Sequence, residues 1–315
     1  MRLVTAEEID RALTFPALVD ALQEAFRGET VVPTRHHHDI ERSGHPGTLL
    51  LMPAWSATEG GYLGVKVVSV FPGNSAKGLP SVLGTYLLMD GDTGRPLAAL
   101  DGTRLTLWRT AAVSALAARY LARPDASRMT MVGAGSLAPF LIRAHMSQRP
   151  IRDVRLWNHR GEKAAALAAA LRDESLPVEA APDLEPACRD ADLLSCATLS
   201  REPLVKGSWL KEGAHLDLVG AFNLSMREAD DAALRRAELH IDTPAALHEG
   251  GDVALGLKGG AIVEADVRGD LAALCRGEAA ERTGERAITL FKSVGTALAD
   301  LAAATAVWRA MDEAT

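Results

Sequence analysis

The 315-residue chain is poor in aromatics, at 4% Phe, Trp and Tyr together, and holds only three cysteines. So few rings leave little with which to stack nucleobases. Cys188, Cys196 and Cys275 are odd in number and widely spaced, which matches neither a disulfide framework nor a zinc-ligand pattern. Reduced thiols in a cytoplasmic protein are the expectation. Positive charge is not in excess: 34 Lys and Arg against 41 Asp and Glu give a net charge of −7. Nucleic acid selects a basic stripe and is therefore not an expected partner. No apolar run approaches the ~20 residues that span a bilayer. The opening segment, with Glu7, Glu8 and Asp10, lacks the apolar core of a signal peptide, so no membrane partner is expected either. What remains is an ordinary globular composition, 48% hydrophobic and 24% charged. At this length it suggests two domains.

The pattern changes once along the chain. Thr5-Ala6-Glu7-Glu8 is a capping box that opens a short helix. Leu18, Leu22 and Phe26 mark one face of a second helix, from about Pro16 to Arg27, ended by Gly28. Strand-like segments follow at 34–41, 48–52, 62–71, 82–89 and 97–100, separated by Gly/Pro/Asn/Asp turns. They predict a mostly antiparallel sheet, then a long helix over 106–121. Beyond Pro124, strands at 128–132, 153–157, 193–198, 215–221 and 238–242 alternate with helical segments such as Lys163–Leu171. Such alternation argues for βαβ units and a parallel sheet. A last helix is expected over 294–311. The expected domains are 1–121 with 288–315, and 122–287.

Met129 to Val132 is a short apolar strand that runs into Gly133-Ala134-Gly135-Ser136-Leu137-Ala138. This is G-x-G-x-x-A with a strand before it, a helix after it and a second strand about 20 residues on, the context of a dinucleotide fingerprint. Gly133 permits the tight turn, Gly135 the approach of a pyrophosphate, and Ala138 close helix–strand packing. An ordinary tight βα turn is the competing reading. In NAD sites an acid usually ends the second strand; an Arg there accommodates the 2′-phosphate of NADP. Here the strand ends Trp157-Asn158-His159-Arg160, with Asp153 at its start. NADPH is therefore the expected cofactor, with NADH as the alternative if Arg160 is only a surface charge. The fold class expected is α/β: a Rossmann-type doubly wound sheet beside an antiparallel α+β domain.

Three cations occupy informative places in the first domain. Arg35 is expected to begin a strand, Lys66 lies within the apolar run Gly64-Val65-Lys66-Val67-Val68, and Arg109 falls near the expected start of a long helix. A helix N-terminus disfavours a cation unless an anion is shared there. Arg suits a carboxylate through paired hydrogen bonds. Within His36-His37-His38 only alternate rings share a strand face, and no Cys or carboxylate pair completes a metal site. There is no G-x-S-x-G turn for a serine nucleophile.

Together these segments resemble the ornithine cyclodeaminase/mu-crystallin family along nearly the whole chain. The resemblance rests on Pro33-Thr34-Arg35, Leu51-Met52-Pro53-Ala54, Gly64-Val65-Lys66, Phe71-Pro72-Gly73-Asn74, Arg109-Thr110-Ala111-Ala112, Gly133-Ala134-Gly135, Ser200-Arg201-Glu202-Pro203 and Phe291-Lys292-Ser293-Val294-Gly295, in that order. It implies a homodimer of two-domain subunits and a substrate carboxylate held at Arg35, Lys66 and Arg109. It also implies further cofactor contacts at Thr198, Val219 and Ser293. Cyclodeaminases carry an acid after the fifth Rossmann strand, where this chain has Phe222 in Gly220-Ala221-Phe222-Asn223. Leu50 likewise stands where they tend to have Glu. Displacing ammonia needs groups that take protons from nitrogen. Phe222 and Met226-Arg227-Glu228-Ala229-Asp230-Asp231 look more like the imine-reductase branch. The expected activity is NADPH-dependent reduction of a cyclic imino acid. Lys66 is the candidate proton donor if burial lowers its pKa, and Phe222 shapes the ring pocket. The rivals are ornithine cyclodeaminase with bound NAD, an alanine- or opine-type dehydrogenase, and a non-catalytic NADPH-dependent ligand binder.

Overall fold

A computed structural model describes residues 1–312. In chain order the elements begin with β1 (Arg2–Val4), α1 (Ala6–Ala12), α2 (Phe15–Arg27), β2 (Thr30–Val31), β3 (His36–Ile40), β4 (Gly47–Ser56), β5 (Tyr62–Val70), β6 (Val82–Asp90), β7 (Pro96–Asp101) and α3 (Gly102–Leu121). They continue with β8 (Arg128–Val132), α4 (Ala138–Gln148), β9 (Asp153–Trp157), α5 (Gly161–Asp173), β10 (Val178–Ala180), α6 (Leu184–Asp190), β11 (Leu193–Cys196) and β12 (His215–Leu218). Last come α7 (Asp231–Arg236), β13 (Glu238–Ile241), α8 (Ala246–Glu249), α9 (Gly251–Lys258), β14 (Val267–Asp270), α10 (Leu271–Arg276), β15 (Thr289–Lys292) and α11 (Ala297–Asp312).

The chain forms two compact units, Met1–Thr110 with Thr296–Thr315, and Ala111–Gly295. The first division falls inside α3 rather than at residue 121 because the end of that helix is tied into the second unit. Arg149 donates to the carbonyls of Ala118, Arg119 and Ala122, and Thr289 Oγ1 donates to that of Leu121.

In the first unit, Thr5 caps α1 in the expected box: its hydroxyl accepts from Glu8 N at 3.3 Å while Glu8 Oε2 accepts from Thr5 N at 2.9 Å. The sheet runs β1-β7-β6-β5-β4-β2, with β3 also paired to β4. Only β1, which the sequence pattern missed, pairs in parallel, along β7. Leu18, Leu22 and Phe26 of α2 are buried, and α11 packs on α2, β4 and β5. Small residues on α11 (Ala299, Ala303, Ala304) bury completely and permit that close approach. Two expectations need correcting. Arg35 does not begin a strand, since β3 starts at His36, where pairing to Leu51 begins three residues beyond Pro33. The long helix starts at Gly102, because Asp101 Oδ1 accepts from Arg104 N and adds a first turn.

The second unit holds an all-parallel sheet in the order β10-β9-β8-β11-β12-β15-β13-β14. The order reverses between β8 and β11, which makes a switch point for ligands at the carboxyl ends of those strands. β11 and β12 stop at Cys196 and Leu218, earlier than the sequence suggests, because the following residues turn aside to meet Glu228. Among the described residues no helix is long and apolar enough to cross a membrane.

Candidate active site

Strand alternation on β5 turns Gly64, Lys66 and Val68 inward. Lys66 pairs across the sheet with Met52 and Tyr86, both buried. Gly64 is needed there, because a Cβ would lie 2.3 Å from the Tyr86 hydroxyl. Lys66 is 3% exposed and Arg109 6%. Such burial of two like charges is untenable without a counter-ion. The counter-ion is Asp300, on the first turn of α11 and fully buried. Its Oδ1 accepts from Arg109 Nε at 2.9 Å, and its Oδ2 lies 2.7 Å from Lys66 Nζ. The latter contact is ionic rather than a well-directed hydrogen bond.

Burial pulls the Lys66 ammonium down to about 8, helped by the Arg109 charge and, less, by Arg35, while Asp300 opposes the shift. Arg35 is thus within electrostatic reach of Lys66, and the three sequence-selected cations share one neighbourhood. Lys66 and Arg109 share the carboxylate of Asp300, so that buried trio keeps one positive charge in excess, which suits an anion. The earlier reason for singling out Arg109 does not hold. It lies on the third turn of α3, too far from the N-terminus for the helix dipole to matter. What marks it is burial beside Lys66. Buried Tyr86 Oη meets no hydrogen-bond partner among the described residues, and burial with the Asp300 charge raises its pKa well above the ordinary value. Phe222 is 48% exposed and lies in the turn after β12.

In the second unit the carboxyl ends of β8, β9 and β11 enclose a cleft of about 440 Å³. Gly133, Gly135, Asn158, His159, Arg160 and Thr198 line it, with Lys163 beside them. Gly133 has φ 113°, and a Cβ there would sit 2.5 Å from the Ala197 carbonyl oxygen. At Gly135 a Cβ would meet nothing within 4 Å, so its backbone faces open space. A bare glycine loop, the start of an 11-residue helix and a roomy cleft fit a dinucleotide pyrophosphate. Among the described residues no Asp or Glu lines the cleft, while exposed Arg160 and Lys163 do. Ser136 and Leu137 form the turn into α4. Val219 and Ser293 follow β12 and β15 and are buried. Val219 N bonds to the Cys196 carbonyl and Ser293 Oγ donates to Asp242 Oδ2 at 3.0 Å.

Two residues escaped the sequence reading, and a third was seen without its role. Asp300 carried the same signal as Lys66, a lone charge in an apolar run, here Ala297-Leu298-Ala299-Asp300-Leu301-Ala302. Lys163 was hidden in an alanine-rich helix. Glu228 was noticed in its motif, but its contacts are set by strand order and not by spacing.

Three comparisons bear on this site. The chain is 40% identical over 294 residues to a Δ1-pyrroline-2-carboxylate reductase of Paracoccus denitrificans, covering 93% of this chain and 92% of that protein. The structure of Thermococcus litoralis Δ1-pyrroline-2-carboxylate reductase, in complex with NADH and L-proline, superposes with a TM-score of 0.92 at 34% identity over 100% of this chain and 98% of that one. An archaeal alanine dehydrogenase dimer with bound NAD superposes with a TM-score of 0.91 at 31% identity, over 100% and 97%. A family model matches residues 1–314. The chain belongs to the ornithine cyclodeaminase/mu-crystallin family.

Proposed function

We propose that this protein is a nicotinamide-dependent oxidoreductase that reduces the C=N bond of a cyclic imino acid with NADPH. Pyrroline-2-carboxylate going to proline is the leading substrate and piperideine-2-carboxylate going to pipecolate the next. The observation that carries the reading is the buried cluster Lys66–Asp300–Arg109, an anion site with a proton-bearing amine inside it. Named relatives that act on such imines support it. When bound, the nicotinamide supplies hydride. The chain's own residues do the rest. Arg109 and Arg35 bind and orient the substrate carboxylate. Lys66 Nζ holds a proton and passes it to the substrate nitrogen, with a pKa near working pH as general acid catalysis requires. Asp300 keeps Lys66 protonated and fixes the Arg109 side chain. Arg160 and Lys163 favour the 2′-phosphate, and no lining acid opposes it. The dinucleotide contacts expected from resemblance at Val219 and Ser293, the ring-shaping role of Phe222 and a homodimeric assembly belong to the same proposal.

The test offers purified protein pyrroline-2-carboxylate with NADPH or NADH, and in parallel ornithine with NAD while ammonia is followed. Rapid NADPH oxidation without ammonia is the expected outcome. Ammonia from ornithine with no imine reduction would overturn the reading. A second reading, reduction of an open-chain imino acid, draws on the alanine dehydrogenase neighbour. The cation cluster recognises a carboxylate and not a ring. Pyruvate with ammonium in the same assay separates the two.

A further inference from the structure

Beneath the cleft lies a buried polar chain that the proposed chemistry does not use. Glu228 is fully buried. Its Oε1 accepts from Thr198 N at 2.7 Å and Thr198 Oγ1 at 2.9 Å. Its Oε2 accepts from Gly220 N at 2.7 Å and Ala221 N at 3.3 Å. The turns after β11 and β12 are thereby held so close that a Cβ on Gly220 would lie 2.1 Å from the Thr198 carbonyl oxygen. Glu228 is itself fixed: Asp252 Oδ1 accepts from Glu228 N at 2.7 Å and Ala229 N at 2.9 Å, and Asp252 Oδ2 accepts from Lys292 Nζ at 3.1 Å. All three side chains are wholly buried. Of the two turns, the first forms a wall of the cleft through Thr198, Leu199 and Ser200.

We propose that Glu228 is a positioning residue whose carboxylate clamps the Thr198 turn to the Gly220–Ala221 turn and so sets the shape of the dinucleotide cleft. The proposal rests on the reading of that cleft as a nicotinamide dinucleotide site. Glutamate does what glutamine cannot. Each oxygen faces donors only, so an amide NH2 in either place would confront N–H groups. Burial lifts the Glu228 carboxyl to about 7, with Asp252 adding to the shift and Lys292 opposing it. The charged and titratable groups facing it are Lys292 from β15, Asp252 from α9 and Cys196 from β11. Protonation places one O–H against a donor, as the amide does.

The test measures dissociation constants of NADPH and NADH by fluorescence, with melting temperature, for wild type and Glu228→Gln. Wild type binds. E228Q is expected to bind about tenfold or more weakly, from loss of charge-assisted hydrogen bonds. The NADH ratio between the two should shrink as pH falls from about 8 to 6, a comparison in which other cleft groups cancel. A lowered melting temperature with unchanged dissociation constants would show a merely structural role and overturn the proposal. Should E228Q not fold, NADH binding by a His159→Asn variant is followed over the same pH range. At least threefold weakening on acidification supports the clamp, and a constant or tighter value overturns it. Wild type that binds neither dinucleotide overturns the cleft reading, and the clamp with it.

Discussion

Replacing Asp300 by Asn leaves shape intact and removes the one negative charge between Lys66 and Arg109. At 2.7 and 2.9 Å, each attraction is about 6 kcal/mol at an effective dielectric of ~20, before solvation is counted. Breaking a buried ion pair from one side typically costs ~3–5 kcal/mol net. That corresponds to a melting temperature roughly 6–20 °C lower. The kinetic effect is more specific. Lys66 acts as an acid, so its contribution is present below its pKa of about 8 and fades as pH rises through it. Asp300 holds that pKa up, so the Asn variant loses activity at lower pH. A shift of about one unit needs only ~1.4 kcal/mol, well within the attraction removed. The assay is kcat and KM for pyrroline-2-carboxylate with NADPH, from pH 6 to 10, on protein shown to be folded. The alkaline limb should move down by at least about one unit, with KM at pH 6 unchanged or lower because the anion site has gained positive charge. An unmoved limb in folded D300N would refute Lys66 as the proton donor. A raised KM with unchanged kcat would refute the separation of proton transfer from carboxylate binding.

Arg109→Ala should raise KM for the imino acid about 10–100-fold, by loss of charge-assisted bonds to its carboxylate, while costing less stability than D300N because Lys66 and Asp300 remain paired; steady-state kinetics and melting curves check both. Arg160→Ser with Lys163→Ser should weaken NADPH about tenfold or more and leave NADH within about threefold, read as dissociation constants. Gly133→Val should abolish dinucleotide binding in fluorescence titration, since φ 113° and a Cβ 2.5 Å from the Ala197 oxygen leave no room for a side chain.

Local patterns made much of this fold readable. The capping box at Thr5, the glycine turn at Gly133 and the apolar strand around Lys66 depend on near neighbours, so spacing encodes them. β1 and β10 were missed because each is three residues long and acquires its extended form from pairing with a longer strand. β15 was missed for another reason. It threads between β12 and β13, an order that follows from the crossover and not from its own residues. The cations were visible as charges in unlikely company, but the carboxylate that makes their burial tolerable stands about 190 positions from Arg109 in a helix of small apolar residues. Its partners are specified only when α11 lies on β5. Glu228 likewise needs two strand ends, those of β11 and β12, brought together before its four donors exist.

The discontinuity of the first unit sets an order on events during synthesis. Lys66 and Arg109 emerge from the ribosome well before Asp300, with the whole of Ala111–Gly295 between them. At ~5–20 residues per second that interval lasts roughly 10–40 s. The second unit is one uninterrupted stretch and can complete its sheet during that time. The first cannot close around two buried cations until their counter-charge arrives, so the nascent sheet β1–β7 must wait with that face solvated. Helix α11, made after the whole second unit, is therefore the piece that licenses the first unit to become dry inside.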